Sequence, residues 1–150
     1  YHADHIVIAT GGRPIVPPVP GAELGTTSDG FFALSEQPKR VAIIGAGYIG
    51  VELAGVLRAL GSEVSVVALE ARVLETFDDM VSDVLMAEMR KQGISLKMSF
   101  QVAGLARTGS GIALDSAGAV HMGIAQNRAA GGHALVKSVH LCPLQYGKPT

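Results

Sequence analysis

Residues 41–52 read VAIIGAGYIGVE, an apolar run followed by a glycine-rich turn and a helix-like pattern. Three glycines in this stretch stand in the order G-x-G-x-x-G. Between a strand and a helix, the first glycine closes the turn, the second lets the backbone approach a phosphate, and the third lets the helix pack closely. Amide groups at the start of the helix then face the anion, and the helix dipole adds attraction. The stretch therefore predicts a site for the pyrophosphate of a dinucleotide. Its candidate residues are Gly45, Ala46, Gly47, Tyr48, Ile49 and Gly50.

The sequence after the turn has the order of a βαβ unit. A helix predicted over residues 48–60 ends at Gly61, and the β-branched run 64–67 follows directly. Strand, turn, helix and strand fit within about 30 residues, the size of one such unit. Glycine triplets also occur in ordinary loops, so this context is what favours dinucleotide binding over a purely structural turn.

Composition and charge exclude several classes of function. The chain has 150 residues, 48% of them hydrophobic, which suffices for the core of one domain. Its net charge of −1 gives no electrostatic reason to bind nucleic acid or an anionic membrane. No apolar run approaches the ~20 residues of a membrane span. The single cysteine, Cys142, excludes an internal disulfide and favours a reducing, cytoplasmic location.

The segments on either side of the unit predict further elements. Residues 5–10, HIVIAT, predict a buried strand that ends at a glycine turn. Four prolines within residues 14–20 predict an extended linker and a domain boundary. A helix is predicted over residues 79–92, with Asp78 as its N-cap and Gly93 as its terminator. One face of this helix is expected to pack on the sheet, formed by Met80, Val84, Leu85 and Met89. Residues 94–100, 104–108 and 111–114 predict an antiparallel meander.

Two motifs at a characteristic separation resemble the flavin-dependent pyridine-nucleotide disulfide reductases. HIVIATGGRP at 5–14 resembles the family's strand that returns to the flavin domain, and VAIIGAGYIGVELAGVLRALGSEV at 41–64 resembles its nicotinamide-binding motif. Between them, SDGFFAL at 28–34 resembles the glutathione reductases more than the lipoamide or mercuric reductases. The resemblance covers residues 3–114.

The resemblance implies an α/β fold, a Rossmann-like nucleotide-binding domain with a parallel sheet, flanking helices and an antiparallel β-meander. It divides the chain into the end of an FAD-binding segment with a linker at 1–20, an NAD(P)H-binding domain at 21–115, and an atypical tail at 116–150.

The same resemblance implies roles for individual residues. Ala9, Thr10 and Gly11 fall where the family's chain passes close to FAD. Tyr48 matches the aromatic residue that covers the nicotinamide pocket, and Glu52 matches a carboxylate that pairs with a lysine near the flavin. Without the resemblance, Tyr48 reads as a partly buried helix residue and Glu52 as an exposed acid in the first turn of a helix.

The family mechanism passes a hydride from the nicotinamide to FAD and then electrons through a cysteine pair to glutathione disulfide. The full enzyme is expected to be a homodimer. This sequence has no cysteine pair, so we expect a piece of a longer enzyme that contains no catalytic residue and is inactive alone. The histidines of residues 116–150 have no spacing that fits a metal site, and none is predicted.

The choice between NADPH and NADH stays open in the sequence. Past the second strand, an acid binds the ribose 2′-hydroxyl or arginines accept a 2′-phosphate. The resemblance implies NADPH, but its two arginines correspond here to Leu69 and Glu75. Glu70, which follows Gly50 by 20 residues, repels a 2′-phosphate and favours NADH. Only Arg72 offers local positive charge.

Residues 116–150 do not resemble the family. The expected return through an A-x-G-R-x-P motif is missing, so we expect an altered coding frame or a truncation near residues 115–120. Two alternatives to a glutathione reductase remain open. One is a lipoamide dehydrogenase-like NADH flavoenzyme, and the other is a non-catalytic truncated or frameshifted product.

Overall fold

The computed structural model describes residues 1–12, 14–108 and 111–116, together with the backbone of 122–125. A 3-10 turn, Ala22–Leu24, comes first in the chain. The helices are α1 (Ser28–Phe32), α2 (Tyr48–Ala59) and α3 (Asp79–Lys91). The strands are β1 (Arg40–Ile44), β2 (Glu63–Val67), β3 (Ser95–Lys97), β4 (Val102–Thr108), β5 (Gly111–Ser116) and β6 (Met122–Ala125).

Three parallel strands form the first sheet, with β2 between β1 and β3. Val41 lies opposite Val64, and Val66 lies opposite Leu96. The apolar, β-branched composition of β1 and β2 suits strands that are covered on both faces. Because the strands are parallel, their carboxyl ends meet at one edge. The glycine turn after β1 and the loop after β2 therefore lie side by side.

Each face of this sheet packs on a different layer. Val41 and Ile43 of β1 share a buried cluster with Leu53 and Leu57 of α2. Ala42 and Ile44, which point to the opposite face, share a second cluster with residues of the antiparallel sheet β4-β5-β6. Successive side chains of a strand point to opposite faces, so one strand contributes to both cores. The result is a layer of helices, a parallel sheet and an antiparallel sheet, in that order.

The predicted α/β fold, with a parallel sheet, flanking helices and antiparallel strands, is confirmed. The predicted caps are also present. Asp78 Oδ1 accepts a hydrogen bond of 2.9 Å from the Met80 amide at the start of α3. Gly61 and Gly93, which follow α2 and α3, have φ values of 96° and 82°, in the left-handed region that favours glycine.

The predicted meander was wrong at its beginning. Residues 95–97 form β3, which pairs in parallel with β2 in the first sheet. The antiparallel sheet begins only at Val102. A short strand that follows a helix has the same local pattern in either sheet. The crossover through α3 determines that β3 joins the parallel sheet, because it returns the chain beside β2 in the parallel direction.

The predicted buried face of α3 was wrong in part. Met80 and Val84 are 70% and 65% exposed. The side chains that α3 buries are Ser82, Met86 and Met89, while Leu85 packs at the edge of the core. The Ser82 hydroxyl donates to the Leu74 carbonyl at 3.3 Å, and this bond lets a polar residue occupy the buried face.

The predicted strand at residues 5–10 is not formed. Ile6, Val7 and Ile8 are between 77% and 87% exposed, and the segment has no regular secondary structure. A strand needs a neighbour for its amide and carbonyl groups, and no strand of the described residues pairs with this segment. Its apolar sequence alone therefore does not make it a strand.

The proline-rich linker packs on the antiparallel sheet at its carboxyl end. The Leu105 amide donates to the Pro20 carbonyl at 2.8 Å, and Val19 packs against the second core. Gly21 follows with a φ of 77°. Proline has no backbone N–H to donate, but its carbonyl can accept a hydrogen bond, as that of Pro20 does here.

The strand β6 lies within the segment that the sequence suggested was an atypical tail. Its residues 122–125 extend the antiparallel sheet beside β5. Cys142 and the histidines of the tail lie outside the described residues. Among the residues that are described, no helix is both long and apolar enough to cross a membrane.

Replacing Gly21 by alanine is expected to destabilise the fold by about 2–4 kcal/mol, because of its positive φ and a backbone overlap. A Cβ at Gly21 would lie 1.8 Å from the Leu105 carbonyl oxygen. Gly55→Ala in α2 is the matched control, since no described atom lies within 4 Å of its Cβ position. It is expected to stabilise the chain by about 0.5–1 kcal/mol. Urea unfolding measures both, and similar changes in the two variants would contradict the close contact at Gly21.

Candidate functional site

The glycine turn is fastened to the carboxyl end of the neighbouring strand. Gly45 has a φ of 113°, a conformation that side chains rarely allow. Its amide donates to the Val67 carbonyl at 2.8 Å, which anchors the turn on β2. The turn is therefore a fixed part of the sheet edge.

Helix α2 lies very close to this turn at Gly50, where it has no side chain. A Cβ at Gly50 would lie 2.5 Å from the Gly45 carbonyl oxygen and 3.5 Å from Cγ2 of Ile43. Real Cβ atoms do not show such a distance to a backbone oxygen. The close packing predicted for the third glycine is thus present in the structure.

The first turn of α2 presents unshared backbone amides. Gly47 is the N-cap residue, and no side chain caps the helix in the described part of the chain. The first intrahelical bond is donated by the Val51 amide to the Gly47 carbonyl at 3.0 Å. The amides of Tyr48, Ile49 and Gly50 come before it and point out of the helix end. The first turn holds no acidic residue that would repel an anion. The reading of Glu52 as a first-turn acid was wrong, because α2 begins at Tyr48 and Glu52 is its fifth residue.

Tyr48 and Glu52 lie on one exposed face of α2. They are four residues apart, so their side chains are neighbours on the helix surface. Tyr48 is 58% exposed and Glu52 is exposed as well. Tyr48 is therefore not the partly buried residue that the helix pattern alone suggested. The roles that the resemblance implies for Tyr48 and Glu52 stay predictions.

The loop after β2 is attached to the glycine turn. The Leu74 amide donates to the Ala46 carbonyl at 2.9 Å, and Val73 is fully buried in the first core. Glu70 lies earlier in the loop with its side chain exposed, while its carbonyl accepts from the Ser99 amide at 2.9 Å. The two predicted parts of the site, the turn and the ribose loop, are thus brought together.

Arg72 does not offer the free positive charge expected from the sequence. Its Nη1 lies 3.3 Å from Asp79 Oδ1 and 3.3 Å from Asp83 Oδ1, one turn apart on α3. Sequence reasoning overlooked these two acids as partners of the loop. Asp79 and Asp83 are four residues apart on a helix that starts just after the loop, and this spacing could have indicated that both face the same cation.

Glu75, one of the two positions where the resemblance expects an arginine, turns back toward the loop itself. Its Oε1 accepts from the Ala71 amide at 3.4 Å. Leu69, the other such position, is 66% exposed and apolar. The Ala71 amide is therefore bonded to an acid of the loop, while Arg72 is paired with acids of α3.

Ala9, Thr10 and Gly11 lie on the exposed segment that precedes the linker, outside both buried clusters. Their predicted contact with FAD remains a prediction. Within the described ranges, no group of three or more His, Cys, Asp or Glu side chains is arranged to hold a metal ion.

The arrangement of turn, helix and loop agrees with comparisons to known proteins. A family model described as pyridine nucleotide-disulphide oxidoreductase matches residues 1–124. This chain belongs to that family. The family's members use FAD and NAD(P)H.

Two proteins similar to this chain are disulfide reductases. Glutathione reductase of Yarrowia lipolytica is 54% identical over 96 residues, which are 64% of this chain and 20% of that protein. The HOCl-induced flavoprotein disulfide reductase RclA of Escherichia coli, in its Cu(II) complex, is 28% identical, with a TM-score of 0.69 over 75% of this chain and 27% of that one. The chain thus spans about a fifth of the length of the glutathione reductases that it matches.

A further solved structure supports the fold alone. The water-forming NADH oxidase of Lactobacillus brevis, bound to NADH, has a TM-score of 0.73 over 89% of this chain and 29% of its own, at 22% identity.

Gly50→Ala is expected to lower the free energy of unfolding by about 1–3 kcal/mol, because the Gly45 carbonyl must move away from the new methyl group. Gly55→Ala, in the same helix but in open space, controls for the general effect of the substitution. Thermal unfolding of the two variants measures the difference. A Gly50→Ala variant as stable as Gly55→Ala would contradict the contact between α2 and the turn.

Proposed function

We propose that this chain is the NAD(P)H-binding portion of a flavin-dependent disulfide reductase that acts on glutathione disulfide. The observation that carries the proposal is the uncapped start of α2, pressed against the glycine turn at Gly50. In the proposed domain, residues 21–115, this turn binds the pyrophosphate. The fit of the nucleotide is supported by the missing Cβ at Gly50, which lets the start of α2 lie against the glycine turn.

The residues around the turn have distinct proposed roles. The amides of Tyr48, Ile49 and Gly50 donate to the pyrophosphate, and Gly45, Ala46 and Gly47 keep the backbone close to it. Tyr48 covers the nicotinamide pocket, and Glu52 lies where the nicotinamide meets the flavin. When bound, the nicotinamide supplies a hydride to FAD.

The described residues form only a small part of any FAD site. Ala9, Thr10 and Gly11 are exposed. They are proposed neighbours of FAD that take part in no chemical step. The similarity to glutathione reductases supports glutathione disulfide as the substrate of the whole enzyme. A homodimer and a cytoplasmic location are further proposals for that enzyme.

The coenzyme has two candidates. The similarity to glutathione reductases favours NADPH. An NADH-dependent enzyme of the lipoamide dehydrogenase type is the alternative, and one specific observation favours it: Arg72 is paired with Asp79 and Asp83. A non-catalytic truncated product is the third possibility, distinguished from both by its failure to bind either coenzyme.

Calorimetric titration of the chain with NADPH and with NADH tests the proposal. We expect binding of at least one coenzyme. Gly50→Ala is expected to weaken it by about tenfold, since the displaced turn loses one to two amide–phosphate contacts. Gly55→Ala should bind like the original chain. Absence of binding to either coenzyme would contradict the proposal and favour the non-catalytic product.

The chain alone is expected to reduce no glutathione disulfide. The family's step to this substrate uses a cysteine pair, and the sequence holds one cysteine. An assay of NADPH and NADH oxidation in the presence of glutathione disulfide and added FAD measures this. Turnover above the rate without protein would show that the assignment of the chain to the coenzyme-binding portion alone is wrong.

A further inference from the structure

We infer that Asp79 and Asp83 set the coenzyme preference of this chain, because they hold the guanidinium of Arg72 and so direct the site toward NADH. The inference rests on the proposed function, since it concerns the adenosine ribose end of the same nucleotide site. The two aspartates act through Arg72 and are positioning residues.

The position of Arg72 gives it influence over the ribose. In folds of this type, the ribose 2′ position is recognised just beyond the second strand. Arg72 lies in that loop, five residues after β2 ends at Val67. The hydrogen bond from the Leu74 amide to the Ala46 carbonyl keeps the loop beside the glycine turn. Arg72 is also the one basic residue between β2 and α3.

Carboxylates of the chain are already bonded to the donor groups that a 2′-phosphate would need. Both aspartates lie 3.3 Å from Nη1 of Arg72, which also donates to the Asp79 carbonyl at 3.5 Å. The Ala71 amide, the other nearby donor, is bonded to Glu75 at 3.4 Å. A 2′-phosphate must therefore displace negative groups from both donors, and it enters a region where acids outnumber the single cation.

A 2′-hydroxyl meets no such obstacle. It is neutral and donates a hydrogen bond, so an exposed carboxylate such as that of Glu70 is a suitable acceptor. The same charges that oppose NADPH are compatible with NADH. The discrimination between NADPH and NADH therefore depends on the residue types in the loop and also on which of their groups are already paired.

The ion pairs are exposed enough to be altered without unfolding the chain. The side chains of Arg72, Asp79 and Asp83 are 37%, 86% and 62% exposed. Exposed pairs contribute little to stability, so neutralising the aspartates should leave the fold intact. For the same reason, the expected gain in NADPH affinity is moderate, about three- to tenfold at low salt.

The test compares the affinities for NADPH and NADH in the whole chain and in three variants. Asp79→Asn with Asp83→Asn frees Arg72. The same pair combined with Arg72→Gln removes the cation as well. Glu36→Gln with Glu63→Gln is the charge-matched control, because both acids are exposed and have no ion pair within the described residues. Glu63 also begins β2 and so lies at the opposite end of that strand from the loop.

The inference predicts that the original chain binds NADH more tightly than NADPH. The double aspartate variant should gain NADPH affinity with NADH affinity unchanged, and added salt should reduce the gain. The gain should vanish in the triple variant and be absent in the Glu36/Glu63 control.

A gain of equal size in the triple variant or in the control would overturn the inference, since net charge alone would then explain it. Unchanged NADPH affinity in the double variant would overturn it as well, with the proposed function left standing. Failure of the original chain to bind either coenzyme overturns the proposed function and the inference together.

Discussion

The contact between α2 and the glycine turn depends on the missing side chain at Gly50. With a hydrogen atom there, the helix start lies against the Gly45 carbonyl. The turn is kept in place from the other side by the bond from the Gly45 amide to Val67. A methyl group at Gly50 would push helix and strand apart and would change the direction of the amides in the first turn of α2. The geometry proposed to bind an anion is therefore a consequence of close backbone packing, and no side chain is needed to produce it.

Burial of the parallel sheet on both faces keeps this edge rigid. Helices α2 and α3 cover one face, while the antiparallel sheet and the end of the linker cover the other. The alternating side chains of β1 belong to both cores, so neither layer can shift without disturbing the strand that carries the turn. Gly21 extends this arrangement to the linker, because only a residue without a Cβ fits against the Leu105 carbonyl at that point.

Local signals made much of the fold and the turn predictable from sequence. The glycine order, the cap at Asp78 and the terminators Gly61 and Gly93 each act within a few residues, so the sequence carries them directly. The parallel pairing of β3, the exposure of Met80 and Val84, and the lack of a strand at residues 5–10 depend on which distant segments pack nearby. The pairing of Arg72 with Asp79 and Asp83 belongs to the same class, since it follows from how α3 leaves the loop. A count of charges in the loop gave Arg72 as available, whereas the three-dimensional arrangement engages it.

The hydrogen bond between Leu74 and Ala46 has a consequence for how a dinucleotide is bound. It joins the segment proposed to bind the pyrophosphate to the segment proposed to bind the adenosine ribose, so the two are held side by side. A ligand that engages one segment presents its other half at a high effective concentration to the second. The two halves of a coenzyme are then bound cooperatively through the covalent link between them. Separate mononucleotides, which lack that link, gain nothing from the alignment.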